Sequence, residues 1–259
     1  MLLCAVVTVE GVAQLDDIVY VVRGSSSTVA RFNTTTHQRL PDILVKGMSE
    51  PWDIAACART ARLYVADWEA ECGVWRLSPD GADIQRWLTR SPSDTFKASA
   101  LSVTSSRLLV TSLVGKQLRQ FATAGGDELR RVGLPDYMDP EHAVESPTGT
   151  FVVAHRNTQL HQYQVSEVNT AGQVLRQFSG SLGWSERIAI DSQGHILVAD
   201  WDNSCILLLD DQLALRRVIV DQHQLNDKRP CCLCYVEQSG QLLVALSGHS
   251  VAVFDVIQR

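Results

Sequence analysis

The chain has 259 residues, of which 45% are hydrophobic and 20% charged, and its formal net charge is −6. Such a composition is ordinary for a globular protein, and the length suits one large domain or two small ones. The negative balance argues against a general nucleic-acid binder, because neutralising phosphates needs a positive field. No apolar run is long enough to cross a membrane as a helix. The 7 cysteines (Cys4, Cys57, Cys72, Cys205, Cys231, Cys232 and Cys234) follow no spacing of a small disulfide-stapled domain. The expectation is reduced, mostly buried thiols in a cytoplasmic protein.

The opening stretch MLLCAVVTVEG is apolar but lacks the basic flank and long apolar core of a signal peptide. It reads as a strand at Val6–Val9, followed by strands at Ile18–Val22, Val29–Phe32 and Leu40–Val45. The chain thus begins almost inside a folded element, and the expectation is a fragment or C-terminal part of a longer protein. Further on, short β-rich runs recur with turn residues between them: RLYVADW, GVWRLS and DIQRWLT, then RLLVTSL, QLRQFAT and ELRRVGL. The same order returns as TFVVAHR, QLHQYQV and QVLRQFS, and again as HILVADW, CILLLD and LRRVIV. No segment sustains a helical period. The repeat is about 43 residues with four strands per unit, the signature of β-propeller blades. Six units begin near Leu3, Pro51, Ala98, Pro140, Ser185 and Pro230. The predicted fold is all-β, a six-bladed propeller of four-stranded antiparallel blades over residues 1–259. Its sixth blade has strands near Cys232–Val236, Leu242–Ala245 and Val251–Phe254, and its outer strand is missing or very short.

Two stretches, LYVADWEAEC at 63–72 and ILVADWDNSC at 196–205, are nearly copies of one another. In a propeller they are the second strand, the following turn and the start of the third strand of blades two and five. Asp67 and Asp200 are then repeat positions that accept backbone N–H groups, with Trp68 and Trp201 covering the seams between blades. Cys72 and Cys205, each five residues beyond its Asp, are expected to be packing residues in equivalent places and far apart, not a metal pair.

From Arg187 to Asp210, RIAIDSQGHILVADWDNSCILLLD resembles an NHL repeat, and Pro51–Gly81 resembles one as well. HAVESPTGTFVVAH is a looser copy, with His155 where the repeat usually has Asp. The resemblance implies a six-bladed propeller like the C-terminal propellers of tripartite-motif NHL proteins. It implies a protein- or peptide-binding scaffold, and in some members RNA binding on a basic face. No RING or B-box cysteine–histidine array accompanies it here.

Inner strands line a propeller's channel, so polar residues at their starts face a shared opening. Asp53, His142 and Arg187 lie near such places in blades two, four and five, Ser99 and Ser102 in blade three, and a shift of one residue in register would put Glu141 or Glu186 there instead. With Trp68 and Trp201 as aromatic anchors, Asp53, His142 and Arg187 form the candidate binding surface for a protein or peptide, held by loop residues at one end of the channel. The rival reading is a metal-dependent hydrolase or lyase, like the calcium lactonases and zinc amidating lyases built on six-bladed propellers. That would need several Asp, Glu, Asn or His ligands converging in the channel, and these inner-strand starts offer few. No cofactor and no metal is expected. RNA binding is a third reading. Arg130, Arg131, Arg176, Arg216 and Arg217 fall on outer strands, at the circumference rather than on one basic face, which counts against it.

Overall fold

A computed structural model describes residues 8–68, 72–89, 95–104, 106–185, 187–248 and 250–256. The described chain is all strand and turn, arranged as six antiparallel sheets in which strand order follows the sequence. Blade one holds β1 (Val9–Leu15), β2 (Ile18–Arg23), β3 (Thr28–Asn33) and β4 (Arg39–Leu44). Blade two holds β5 (Pro51–Cys57), β6 (Arg62–Asp67), β7 (Cys72–Leu77) and β8 (Ile84–Thr89). Blade three holds β9 (Ala100–Val103), β10 (Arg107–Ser112), β11 (Gln117–Ala122) and β12 (Glu128–Gly133). Blade four holds β13 (Met138–Glu145), β14 (Phe151–Asn157), β15 (Gln162–Val168) and β16 (Val174–Gln177). Blade five holds β17 (Ile188–Ile190), β18 (Ile196–Asp200), β19 (Cys205–Leu209) and β20 (Leu215–Val220). Blade six has three strands among the described residues: β21 (Pro230–Val236), β22 (Gln241–Leu246) and β23 (Ser250–Asp255).

One twisted sheet cannot bury both of its faces alone, so the cores lie between blades. Tyr20, Val29 and Ile43 of blade one pack with Leu63, Val65 and Trp75 of blade two in one such cluster. Leu109, Leu118 and Val132 meet Ala143, Phe151 and Val153 in another. The ring closes because β1 packs on β5 on one side and on β21 on the other. The hairpins turn at residues in the left-handed region, such as Gly194 at φ 87° and Asp16 at φ 50°.

The first blade differs from expectation. Its inner strand is Val9–Leu15, not Val6–Val9. The Asp16–Asp17 turn sets a tight hairpin that pairs Leu15 with Ile18 and Ala13 with Tyr20. The register runs backward from that turn, so the strand begins at Val9. Most of the expected strand lies outside the described residues.

Candidate functional site

The inner strands begin on one face of the ring, here called the upper face. Four of them carry a bulge near their start: between Val9 and Gly11, Pro51 and Asp53, Pro140 and His142, and Pro230 and Cys232. A bulge re-aims the next side chain. The ladders then place one residue of each blade at the same station. Gly11 lies opposite Val22, Asp53 opposite Ala66, Ala100 opposite Thr111, His142 opposite Ala154 and Cys232 opposite Ala245. Arg187 takes that station in blade five, its carbonyl accepting from the Ala199 N–H. The three polar residues singled out from sequence therefore share one ring.

They are not displayed there. Asp53 and His142 are each 6% exposed and Arg187 9%. Each bonds backbone of another blade, and Asp53 also bonds its own strand. Asp53 Oδ2 accepts the Leu101 N–H at 2.8 Å, and its other oxygen accepts the Ile54 N–H at 2.8 Å. His142 Nδ1 accepts the Ile188 N–H at 3.4 Å, which leaves Nε2 as the protonated nitrogen, donating to the Leu101 carbonyl at 3.2 Å. Arg187 reaches across the channel to donate to the Trp52 carbonyl at 2.9 Å and to the Glu141 carbonyl at 3.5 Å. Cys232 donates to the Glu10 carbonyl at 2.6 Å. At Gly11 a Cβ would stand 2.7 Å from the Ile54 nitrogen, so only glycine lets β1 approach β5 this closely.

Burial sets the protonation states. Desolvation, with the Arg187 charge adding to it, lowers His142 to about 3, so its ring is neutral at pH 7. Its 3.9 Å approach to Asp53 Oδ2 is then a contact between a carboxyl and a neutral imidazole. Burial raises Asp53 above the ordinary carboxylate value, while Arg187 and the two N–H donors pull it down. Burial also pushes the Cys232 thiol up, and Cys234 to about 11. Neither thiol is a nucleophile at neutral pH.

The channel holds a cavity of about 220 Å³ whose lining includes Asp53, His142, Arg187 and Cys232 of this ring together with Gln14, Ser102 and Cys234. It opens at the lower face into a wider mouth of about 630 Å³ flanked by Arg59, Asp191 and Glu237. Among the described residues no three His, Cys, Asp or Glu side chains are grouped to hold a metal ion.

The upper face carries a second arrangement. Trp52 and Trp68 of blade two stack with ring centroids 4.4 Å apart, and the Lys97 ammonium lies 4.8 Å above Trp68. Across the ring, Trp184 and Trp201 of blade five lie 6.2 Å apart, with the Arg229 guanidinium 5.5 Å from Trp201. In both cases the cation comes from the segment leading into the next blade. Sequence reasoning found Trp68 and Trp201 but missed Trp52, Trp184, Lys97 and Arg229. The available signal was position: all four open an inner strand or lie within four residues before one.

Asp67 and Asp200, 1% exposed each, hold the indoles' surroundings in place. Asp67 accepts the N–H groups of Ser49 and Glu50 and the Trp75 indole N–H. Asp200 accepts the N–H groups of Gly183 and Asn203. The described partners lie mostly in the segment entering the inner strand, and only Asn203 lies in the following link. Cys72 and Cys205 are not at one station. Ala66 pairs with Val74 whereas Ala199 pairs with Ile206, so the blade-two link is one residue longer and Gly73 is the counterpart of Cys205. A count along the sequence cannot see that extra residue.

Residues 186–207 match the NHL repeat family. The chain is a six-bladed propeller that carries an NHL repeat. No curated protein sequence matches it. Among solved structures, it is similar to a Bacteroides caccae protein of unknown function (16% identity, TM-score 0.69, 92% of this chain and 89% of that one). It is also similar to Kuenenia stuttgartiensis hydrazine synthase (12%, TM-score 0.66, 98% of each chain). A third is a chain of a nidogen/laminin complex (12%, TM-score 0.67, 85% and 82%). One comes from an enzyme and one from a protein complex, so the shared fold leaves the activity open. No helix is long and apolar enough to cross a membrane among the described residues.

Proposed function

We propose that this chain is a non-enzymatic propeller whose upper face binds a protein or peptide. The observation that carries the reading is the pair of tryptophan clusters, Trp52–Trp68 and Trp184–Trp201, each attended by a cation. Tryptophan and arginine are among the usual anchors of interfaces, and Trp184 is 42% exposed. Asp53, His142 and Arg187 then close the channel beneath that face and keep the loops in register, while Trp68 and Trp201 make contact. The calcium- or zinc-dependent reading gains nothing from the ring, because its carboxyl and imidazole already accept backbone N–H groups. RNA binding is not favoured either. Outer-strand Arg131, Arg176 and Arg216 are paired with Glu128, Glu167 and Asp210 at 2.9, 2.7 and 3.0 Å.

Photo-crosslinking in cells tests this reading. A photoreactive residue at Trp184 should yield a discrete protein adduct, lost when Trp68→Ala and Trp201→Ala are combined. An adduct formed only from Arg59, at the lower mouth, would contradict it.

A further inference from the structure

The two tryptophan pairs of the upper face occupy matching places in the repeat but are built differently. In blade two, Trp52 and Trp68 lie 4.4 Å apart and 10° from parallel, a closed stack with no room between its rings. In blade five, Trp184 and Trp201 lie 6.2 Å apart and are tilted by 55°. Two rings held apart at that angle frame a groove rather than a stack. Trp184 also faces Tyr163 of blade four, 6.3 Å away at 25°. Tyr163, Trp184 and Trp201 thus form a succession of three rings from blade four to blade five. Backbone contacts fix their places: Tyr163 bridges to Leu182, the Trp184 N–H donates to Asp202 at 2.8 Å, and the Trp201 N–H donates to the Trp184 carbonyl at 2.8 Å. Trp184, the central ring, is 42% exposed. At the end toward blade six the exposed Arg229 guanidinium lies 5.5 Å from the Trp201 ring, and among the described residues it forms no ion pair.

We propose that these three rings bind a proline-rich segment in the polyproline II conformation, with an acidic residue beside its prolines that pairs with Arg229. The inference rests on the reading of the upper face as a protein- or peptide-binding surface and narrows it to one class of partner. Ring spacing singles out the occupant. A polyproline II helix has three residues per turn and rises about 3.1 Å per residue. Residues i and i+2 therefore rest on one support about 6.2 Å apart, while i+1 points away. The ring spacings of 6.3 and 6.2 Å match that step, so successive pyrrolidines sit on either side of Trp184. Aromatic-lined grooves hold such segments because the helix is ordered before it binds. Charge selects the flanking residue. An unpaired guanidinium at one end of the rings attracts a carboxylate. It also opposes a cationic ligand, such as a methylated ammonium, over the Trp201 face. The closed blade-two stack offers no such groove, so only the blade-five cluster has this specificity.

The test is a nuclear magnetic resonance titration of the full chain with a synthetic peptide of six prolines flanked by a glutamate at each end. The indole N–H resonances of Trp184 and Trp201 should shift and saturate, and those of Trp52 and Trp68 should stay in place. Replacing the prolines with glycines should weaken binding at least about tenfold, because a flexible segment has to be ordered first. Arg229→Ala, at an exposed position, should weaken the glutamate-flanked peptide up to about fivefold, the size of an exposed ion pair, and leave an uncharged proline hexamer unaffected. Three results would overturn the proposal. The proline peptide moves neither indole in a chain with a native circular-dichroism spectrum; the glycine peptide binds equally well; or the two indoles respond to a uridine octamer or a cello-oligosaccharide and not to the peptide. If the peptide fails while a photoreactive residue at Trp184 still yields its protein adduct in cells, the polyproline assignment falls alone. If both fail, the upper-face reading falls with it.

Discussion

The two ends of the channel are built from the same inner strands and differ in what they do with polar side chains. At the upper end Asp53, His142 and Arg187 are buried and hydrogen-bonded to backbone groups, mostly of other blades. At the lower end Arg59 and Glu237 are exposed around an open mouth. The same residue types thus serve closure in one place and solvation in the other. Proximity to a channel does not make a polar residue a ligand-binding residue; its free hydrogen-bonding capacity does.

The largest effect should come from breaking the closed end. Asp53→Ala removes the acceptor for Leu101 N–H and leaves the Arg187 charge uncompensated in a buried ring. Urea unfolding should show a loss of about 3 kcal/mol. By contrast, Arg59→Ala at the lower mouth should change stability by less than about 0.5 kcal/mol. Equal effects at the two positions would erase the comparison.

The pH dependence is next in size. His142 has a folded value of about 3 against an ordinary 6.5. Between those values the unfolded chain binds a proton that the folded chain refuses. The favourable contribution is therefore complete above pH 6.5 and falls by about 1.4 kcal/mol per unit as pH drops toward 3. Asp53, raised by burial, acts in the opposite sense: its contribution is present below the ordinary carboxylate value and is lost as pH rises through its folded one. Unfolding of His142→Gln across pH 4 to 7 should show a flatter acid limb than the parent. An unchanged limb would mean that the ring is open to water.

A smaller stability effect than either belongs to the upper-face indoles. Trp68→Ala gives up the stack on Trp52 and the Lys97 contact, about 1 kcal/mol together. Such a variant should fold, and combined with Trp201→Ala it should fail to hold its partner in the crosslinking assay, separating display from closure.

Much of the fold is legible in the residues, because propeller blades announce themselves by strand period and turns. The turn at Ser192-Gln193-Gly194 and the paired ADW stretches locate blades two and five almost residue by residue. The first blade was harder, because LLCAVVTVE is uniformly apolar and only the Asp16–Asp17 turn fixes which part pairs with Ile18–Arg23. The site was legible in its stations but not in its burial. That Asp53, His142 and Arg187 share a ring follows from the repeat. That each spends its polar atoms on a neighbouring blade depends on bulges at Pro51 and Pro140 and on a long-range reach from Arg187 to Trp52, none of which has a local signature.

The most direct test is a nuclear magnetic resonance titration of the His142 imidazole in the intact chain. A ring that stays neutral, with its proton on Nε2, down to pH 4 is the predicted result and makes the trio a buried closure beneath the binding face. A ring that titrates near 6.5 would place it in water, and would return Asp53, His142 and Arg187 to the displayed surface as ligand-binding or acid–base groups.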